Sequence, residues 1–100
     1  MRQLNGTHEG DLEVSEAITV TGIVAGNVIV LEGGSLILSG MARCVTVKPG
    51  GEAVLNGMVI EDVVNEGGAL DVFGMIQGTL SQRAGTTNVD GGAVIRNKRR

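Results

Sequence analysis

Reactive side chains are scarce in this chain, which has one histidine, His8, and one cysteine, Cys44. A cysteine or serine nucleophile needs a neighbouring base, and a metal site needs several ligands at suitable spacing. No second histidine can supply the base, and no motif adds ligands to His8. We therefore expect no catalysis, no metal and no cofactor, with His8 as a solvated side chain and Cys44 as a small packing residue.

Carboxylates are the remaining chemical groups, and Glu61, Asp62 and Glu66 are close together in sequence. Such a group could act as an acid/base pair or bind a divalent cation. Their spacing matches no specific motif, so a solvated edge is the simpler interpretation. The glycine pairs do not form a phosphate-binding loop, because no Gly-x4-Gly-Lys-Ser/Thr sequence is present. Stacking aromatics among basic residues are absent, so no nucleic acid partner is expected.

The composition indicates how the interior must be built. Hydrophobic residues make up 42% of the chain, yet it has one Phe, no Trp and no Tyr, while Gly accounts for 17 of the 100 residues. Without large aromatic side chains, Val, Ile, Leu and Ala must fill a thin core. The abundance of β-branched aliphatics makes disorder a poor alternative.

A repeat organises the whole sequence. Anchor glycines recur at intervals of 18, 17, 17 and 17 residues. They are Gly22, Gly40, Gly57, Gly74 and Gly91. Aliphatic residues predominate at four positions relative to each anchor. Three of these positions lie ten, four and two residues before the anchor, and one lies two residues after it. Glycine pairs precede three of the anchors: Gly33-Gly34, Gly50-Gly51 and Gly67-Gly68.

The spacing within each repeat predicts strands. Aliphatics alternate with other residues over short segments that glycines interrupt, which is typical of strands with one buried face. A period near 17 residues is too short for a propeller blade but suits one coil of a β-solenoid. We predict an all-β, single-stranded β-solenoid of about five coils. It forms one domain over residues 1–100, with 1–5 and 96–100 as loose ends, and Pro49-Gly50 forms a tight turn.

The residue directly after each anchor glycine is a candidate binding surface. These residues are Ile23, Met41, Met58 and Met75. If the residues two after the anchors point inward, alternation turns these four outward, where a stripe of flexible apolar side chains commonly marks an interaction surface. The same count places further aliphatics outside: Ile29, Ile37, Val54, Val63 and Leu80.

The two ends of a solenoid leave backbone groups unpaired, and nothing in this sequence predicts a helical cap. Copies could therefore stack end to end, and four terminal-coil residues are candidates for self-association: Leu12, Val14, Val89 and Val94. The first third of the chain is acidic and the last fifth is basic, which favours head-to-tail contact. Lys98, Arg99 and Arg100 could alternatively contact an acidic membrane surface.

Location is predicted from the same features. A single cysteine excludes an intramolecular disulfide, and the first residues are polar and unlike a signal peptide. We therefore expect a cytoplasmic protein with possible association with a membrane.

The segments "GIVAGNVIV" and "GMVIEDVVNEGGALDVFGMIQGTL" resemble the bactofilins, bacterial cytoskeletal proteins with glycine-punctuated aliphatic repeats. The resemblance covers residues 6–95. It implies a compact cytoplasmic β-helix that polymerises without nucleotide into nonpolar filaments, often membrane-associated, and serves as a scaffold. Bactofilins usually carry polar residues directly after the glycine, where this chain has Ile23 and three methionines. The alternative is therefore a small binding module, such as an immunity or adaptor protein, that captures a partner through the methionines.

Overall fold

The computed structural model describes residues 2–4, 6–90, 92 and 94–99. Those residues form β-strands, turns and bends, and none of them is helical. The strands are β1 (Arg2–Leu4), β2 (Thr7–His8), β3 (Leu12–Val14), β4 (Ala17–Val20), β5 (Ile23–Val30), β6 (Ser35–Leu38), β7 (Met41–Val47), β8 (Glu52–Leu55), β9 (Met58–Val59), β10 (Val63–Val72), β11 (Met75–Val89) and β12 (Val94–Arg99).

All pairings between these strands are parallel, and paired residues lie about one repeat apart along the chain. Val20 pairs with Leu38, which pairs with Leu55, which pairs with Val72. A chain that returns to pair with itself after each repeat winds as a coil. The fold is the predicted β-solenoid of about five turns.

The strands stack in three columns. The first column contains β1, β4, β6, β8, the second half of β10 and the end of β11. The second contains β2, the start of β5, the start of β7, β9, the start of β11 and the start of β12. The third contains β3, the end of β5, the end of β7, the start of β10, the middle of β11 and the end of β12.

Alternate residues of each strand point into a core made of aliphatic side chains. Ile18, Leu36, Ala53 and Leu70 form one stack in the first column, all at most 3% exposed. Val24, Ala42, Val59 and Ile76 form another in the second column. The residues two before the anchors, Val20, Leu38, Leu55 and Val72, are buried as well. The core positions predicted at two and four residues before each anchor, and at two residues after it, are therefore confirmed. Burial of each such Val or Leu contributes about 1.5–3 kcal/mol, so the thin layers need no aromatic side chain.

Four of the anchor glycines stack on one another at the corner between the first and second columns: Gly22, Gly40, Gly57 and Gly74. A Cβ atom added at Gly40 would meet the carbonyl oxygen of Gly22, and one added at Gly57 would meet that of Gly40. These glycines do not have positive φ. Close approach of neighbouring backbones, rather than an unusual conformation, therefore requires glycine here.

Positive φ recurs at the corner between the third and first columns, where the glycine pairs lie, at Gly33, Gly50 and Gly67. The Gly51 N–H donates to the Lys48 carbonyl oxygen at 3.0 Å across Pro49 and Gly50, and Gly50 has a φ of 86°. Proline followed by a glycine with positive φ is the pattern of a type II turn. The predicted Pro49-Gly50 turn is confirmed.

The third column departs from the predicted register. Val47 pairs with Asn65 and Val45 pairs with Val63, an offset of 18 residues, so Val64 does not continue the column expected ten residues before each anchor. Val63 and Leu80 are at most 1% exposed, and their prediction as outward-facing residues is wrong. The cause is a change in the length of the corner between the second and third columns. This corner has three residues between Val59 and Val63 but only two between Ala42 and Val45.

Both terminal segments extend the solenoid. Arg2–Leu4 pairs with β4, and Val94–Arg99 pairs with β11. Most of the segments predicted as loose ends are therefore strands. Gly91, the last anchor of the repeat, lies outside the described residues.

Candidate functional site

The residues after the anchor glycines form one continuous ladder on the surface. Ile23 pairs with Met41, Met41 with Met58, and Met58 with Met75, in the second column. Ile23 is 45% exposed and Met75 36%, while Met41 and Met58 are half-buried between them. This methionine ladder (Ile23, Met41, Met58, Met75) faces outward, as the alternation predicted.

A shallow groove runs beside the methionine ladder. One depression of about 430 Å³ lies between Met58, Met75 and Phe73, over the stacked Gly57 and Gly74. A second, of about 410 Å³, lies near the other end of the same corner. Its lining includes Gly22, Ile23 and Met41. Because the corner glycines have no side chains, the neighbouring residues stand on either side of a floor of bare backbone.

Two exposed apolar residues were not predicted as part of a surface. Phe73, the only aromatic residue of the chain, is 50% exposed, and Ile60 is 41% exposed. Phe73 directly follows the buried Val72, so the alternation that buries Val72 turns Phe73 outward. That alternation was the available signal. Ile29, Ile37 and Val54, which were predicted to face out, are half-buried.

The predicted self-association residues differ in how accessible they are. Leu12 in the first coil is partly buried and packs against the core, and Val89 and Ile95 in the last coil do the same. Val14 is 0% exposed, so it has no accessible side chain to offer a second copy. Val94 pairs through its backbone with Met75, and its side chain lies outside the described part of the structure.

Charge separates toward the two ends of the solenoid. The exposed acidic residues Glu9, Asp11, Glu13 and Glu16 lie in the first coil, which also contains Arg2 in β1. The basic residues Arg96, Lys98 and Arg99 lie in β12, in the last coil, while Arg100 is outside the described residues. Glu13 in β3 and Arg99 in β12 belong to the same column of strands. Membrane contact through the basic residues stays a prediction.

Charged side chains also connect adjacent coils along the sides. Arg43 Nε donates to Glu61 Oε2 at 2.8 Å, and Lys48 Nζ donates to Glu66 Oε1 at 3.0 Å. The hydrogen bond from Arg43 lowers the pKa of the Glu61 carboxyl below its ordinary value. Glu61 and Glu66 are thus each held by a cation of the preceding coil, an arrangement that suits a solvated edge better than an acid/base pair.

Cys44 lies at the same corner as Arg43. A count of four residues from the anchors aligns Cys44 with Gly26 and Gly78. In the structure it pairs with Asn27 instead, because its corner is one residue shorter. Its Sγ is 3.5 Å from Glu61 Oε1. Burial, and then the hydrogen bond and charge of Glu61, raise the pKa of the thiol. Cys44 is therefore held as the neutral thiol, a weak nucleophile.

Aspartate side chains form hydrogen bonds between coils at the corner that precedes the third column. Asp11 Oδ1 accepts from the Asn27 backbone N–H at 3.0 Å, and Asp62 Oδ1 accepts from the Thr79 backbone N–H at 2.9 Å. Each carboxylate satisfies a backbone donor of the following coil where the strand register shifts. His8 pairs with Val24, and its Nε2 lies 3.3 Å from the Asp11 carbonyl oxygen. His8 is thus half-buried at the end of the core, and not fully solvated as predicted.

Asn65 is a buried polar residue, and the repeat did not predict it. The two N–H groups of its amide nitrogen are shared among three acceptors at 2.9–3.1 Å, Gly68 O, Thr86 O and Thr87 Oγ1, and its amide oxygen accepts from the N–H groups of Gly67 and Gly68. The Asn65 side chain thereby stabilises its own turn and links that turn to Thr86 and Thr87 in the last coil. An asparagine two residues before a glycine pair is a turn signal that could have identified it.

Among the described residues, no group of three or more His, Cys, Asp or Glu side chains could hold a metal ion. That part of the chain also contains no helix long and apolar enough to cross a membrane. Comparisons with protein-family models, curated proteins and solved structures gave no match. The bactofilin resemblance therefore stays a prediction. Among the described residues, the ends of the solenoid and the methionine ladder are two candidate surfaces for function.

Proposed function

We propose that the chain is a self-assembling structural protein whose copies stack through their terminal coils. The observation that carries this proposal is the core itself, which stays partly open at both ends. Leu12 at one end, and Val89 and Ile95 at the other, pack against the core but keep part of their surface exposed. Stacking would bury these side chains and extend the apolar columns into the next copy.

Unpaired strand edges support the same proposal. At the N-terminal end, β1 pairs on one side with β4, and β2 and β3 pair with β5. At the other end, residues 86–89 pair with β10, and β12 pairs with β11. Within the described ranges these strands have no partner on their second side. Such edges can form backbone hydrogen bonds with another chain, as in strand addition.

The assembly is consistent with a scaffold of the bactofilin kind. A rigid solenoid that binds copies of itself could supply a cytoplasmic support for other proteins without any catalytic step. The resemblance of the repeats to bactofilins, and the absence of a histidine-based or clustered-carboxylate motif in the sequence, favour this role over an enzymatic one.

Sedimentation velocity over a range of concentrations, with electron microscopy of the same samples, tests the proposal. The wild-type chain should sediment as large species or filaments above a threshold concentration. Leu12→Glu should remain monomeric, because it places a charge on the open end of the core. Ile60→Glu is the matched control, since Ile60 is exposed on the side of the solenoid. A wild-type chain that stays monomeric at high concentration would refute self-assembly.

The methionine ladder favours a second candidate, a binding module that captures a protein partner. Methionine side chains adapt to varied surfaces, and here they border a groove that also exposes Phe73. Gln77 Nε2 lies 3.5 Å from Met58 Sδ, which adds a polar group beside the ladder. In this case the isolated chain would be a discrete monomer or dimer. Met58→Glu should abolish partner capture without unfolding the protein, whereas Ile60→Glu should retain it.

A further inference from the structure

The first and last coils present matching ends. Each of the three columns contains six strand segments, so no column stops short of the others at either end. The first coil offers β1, β2 and β3, and the last coil offers residues 86–89 followed by the two parts of β12. A second copy moved along the solenoid axis would therefore meet every column with the corresponding strand.

Continuing the observed register across such a junction gives specific residue pairs. In the second column Thr7 begins the series that Val94 ends, and in the third column Glu13 begins the series that Arg99 ends. Arg99 of one copy would therefore lie opposite Glu13 of the next copy. Neighbouring parallel strands are about 4.8 Å apart, so opposite charges at these positions could pair.

The charges distinguish this junction from the joining of like ends. Two N-terminal ends would bring together Glu9, Asp11, Glu13 and Glu16 of both copies with one Arg2 from each, and two C-terminal ends would bring together Arg96, Lys98 and Arg99 of both copies with one Asp90 from each. Like charges in direct contact oppose such junctions. Joining like ends would also make the strands at the junction antiparallel, whereas the described pairings within the chain are parallel.

We propose that copies of this chain join head to tail in continuous register, with Arg99 of one copy against Glu13 of the next. This inference rests on the proposed self-assembly and adds its polarity and its register. The resulting filament is polar, in contrast to the nonpolar filaments that the bactofilin resemblance implies, and each junction repeats the parallel pairing found between coils.

Cysteine cross-linking tests the polarity directly. In a Cys44→Ser background, we would prepare Glu13→Cys, Arg99→Cys and the double variant, and treat each assembled sample with a short bis-maleimide. Head-to-tail register predicts a ladder of covalent multimers from the double variant and monomers from each single variant. Covalent dimers from either single variant would show that like ends join and would overturn the proposal.

Sedimentation of the same samples before cross-linking separates the two proposals. If no variant and no wild-type sample forms large species, self-assembly itself fails. If large species form but the double variant gives no covalent multimers, self-assembly stands and the register is wrong.

Charge reversal provides an independent test. Glu13→Arg should raise the threshold concentration for assembly about fivefold, because it replaces an attractive pair by a repulsive one. The double variant Glu13→Arg/Arg99→Glu should restore the wild-type threshold. A double variant that assembles no better than Glu13→Arg would contradict the assigned pair.

Discussion

Asn65 lies directly opposite Val47 in the buried third column, where an amide replaces an apolar side chain. Its side-chain hydrogen bonds join the Gly67-Gly68 corner to residues 86 and 87 of the last coil. We expect Asn65→Val to lower the free energy of unfolding by about 3 kcal/mol, because the buried N–H groups of Gly67 and Gly68 lose their acceptor. Urea denaturation followed by circular dichroism measures the change.

Asn88→Val is the matched control for Asn65→Val. Asn88 is an exposed strand residue that donates to Asp71 Oδ1 at 3.1 Å. Its replacement should change the free energy of unfolding by less than about 0.5 kcal/mol. Equal effects of the two substitutions would show that the buried amide has no special role.

The stacked glycines predict a contrast between two alanine substitutions. Gly57→Ala should lower the free energy of unfolding by at least about 3 kcal/mol, because the new methyl group meets the Gly40 backbone. Gly33→Ala should cost only about 1–2 kcal/mol, since its Cβ would enter open space and the cost comes from a φ of 83°. Thermal unfolding of both variants gives the comparison. A milder effect at Gly57 than at Gly33 would contradict the close stacking.

Cys44 should respond to the charge of Glu61. Burial raises the pKa of the thiol first, and the adjacent Glu61 carboxylate raises it further by disfavouring the thiolate. Glu61→Gln removes that negative charge, so the pKa of Cys44 should fall while remaining raised by burial. The pH profile of alkylation by iodoacetamide should therefore move to lower pH, because the thiolate is the reacting form.

Glu66→Gln is the control for the thiol experiment. Glu66 pairs with Lys48 and not with Arg43 or Cys44, so its loss should leave the alkylation profile unchanged. An unchanged profile in Glu61→Gln would mean that the carboxylate does not influence the thiol.

Lys98 offers a test of the open core at the C-terminal end. It pairs with Leu80, which ends a buried series that includes Val28, Val45 and Val63. In a head-to-tail stack, position 98 would meet Leu12 of the next copy. Lys98→Leu should lower the threshold concentration for assembly about tenfold, because an apolar residue would continue the core across the junction.

The threshold can be measured by sedimentation, with Ile60→Leu as a control that leaves the junction unchanged. A threshold that Lys98→Leu does not lower would show that position 98 lies outside the assembly contact.

Much of this architecture could be predicted from the sequence because the anchor glycines and the aliphatics around them keep a fixed distance. Val20, Leu38, Leu55 and Val72 each stand two residues before an anchor, and they pair in that order. A backbone contact at the corner requires glycine, and glycine in turn fixes the register of the strands beside it.

The third column was harder to predict because the corner before it contains a glycine in some coils, at Gly10, Gly26 and Gly78, and larger residues in others. Its corner contains either two or three residues, so a count from the anchors gives the wrong side for Val63 and Leu80. The amino-acid composition does not reveal this change in length, because the two-residue corner and the three-residue corners all contain polar or small residues. The half-buried position of His8 was also missed, because it depends on that residue continuing the Val24 series at the end of the core.

The 17-residue step from Gly40 to Gly57 and from Gly57 to Gly74 implies that the protein is modular in length. Gly40 and Gly57 occupy equivalent places, so removing residues 41–57 would connect Gly40 to Met58 and bring Met58 beside Ile23. One whole turn would disappear while the remaining turns stayed matched. Duplication of the same 17 residues would lengthen the rod by one layer, a simple route by which such a gene could change the size of its product.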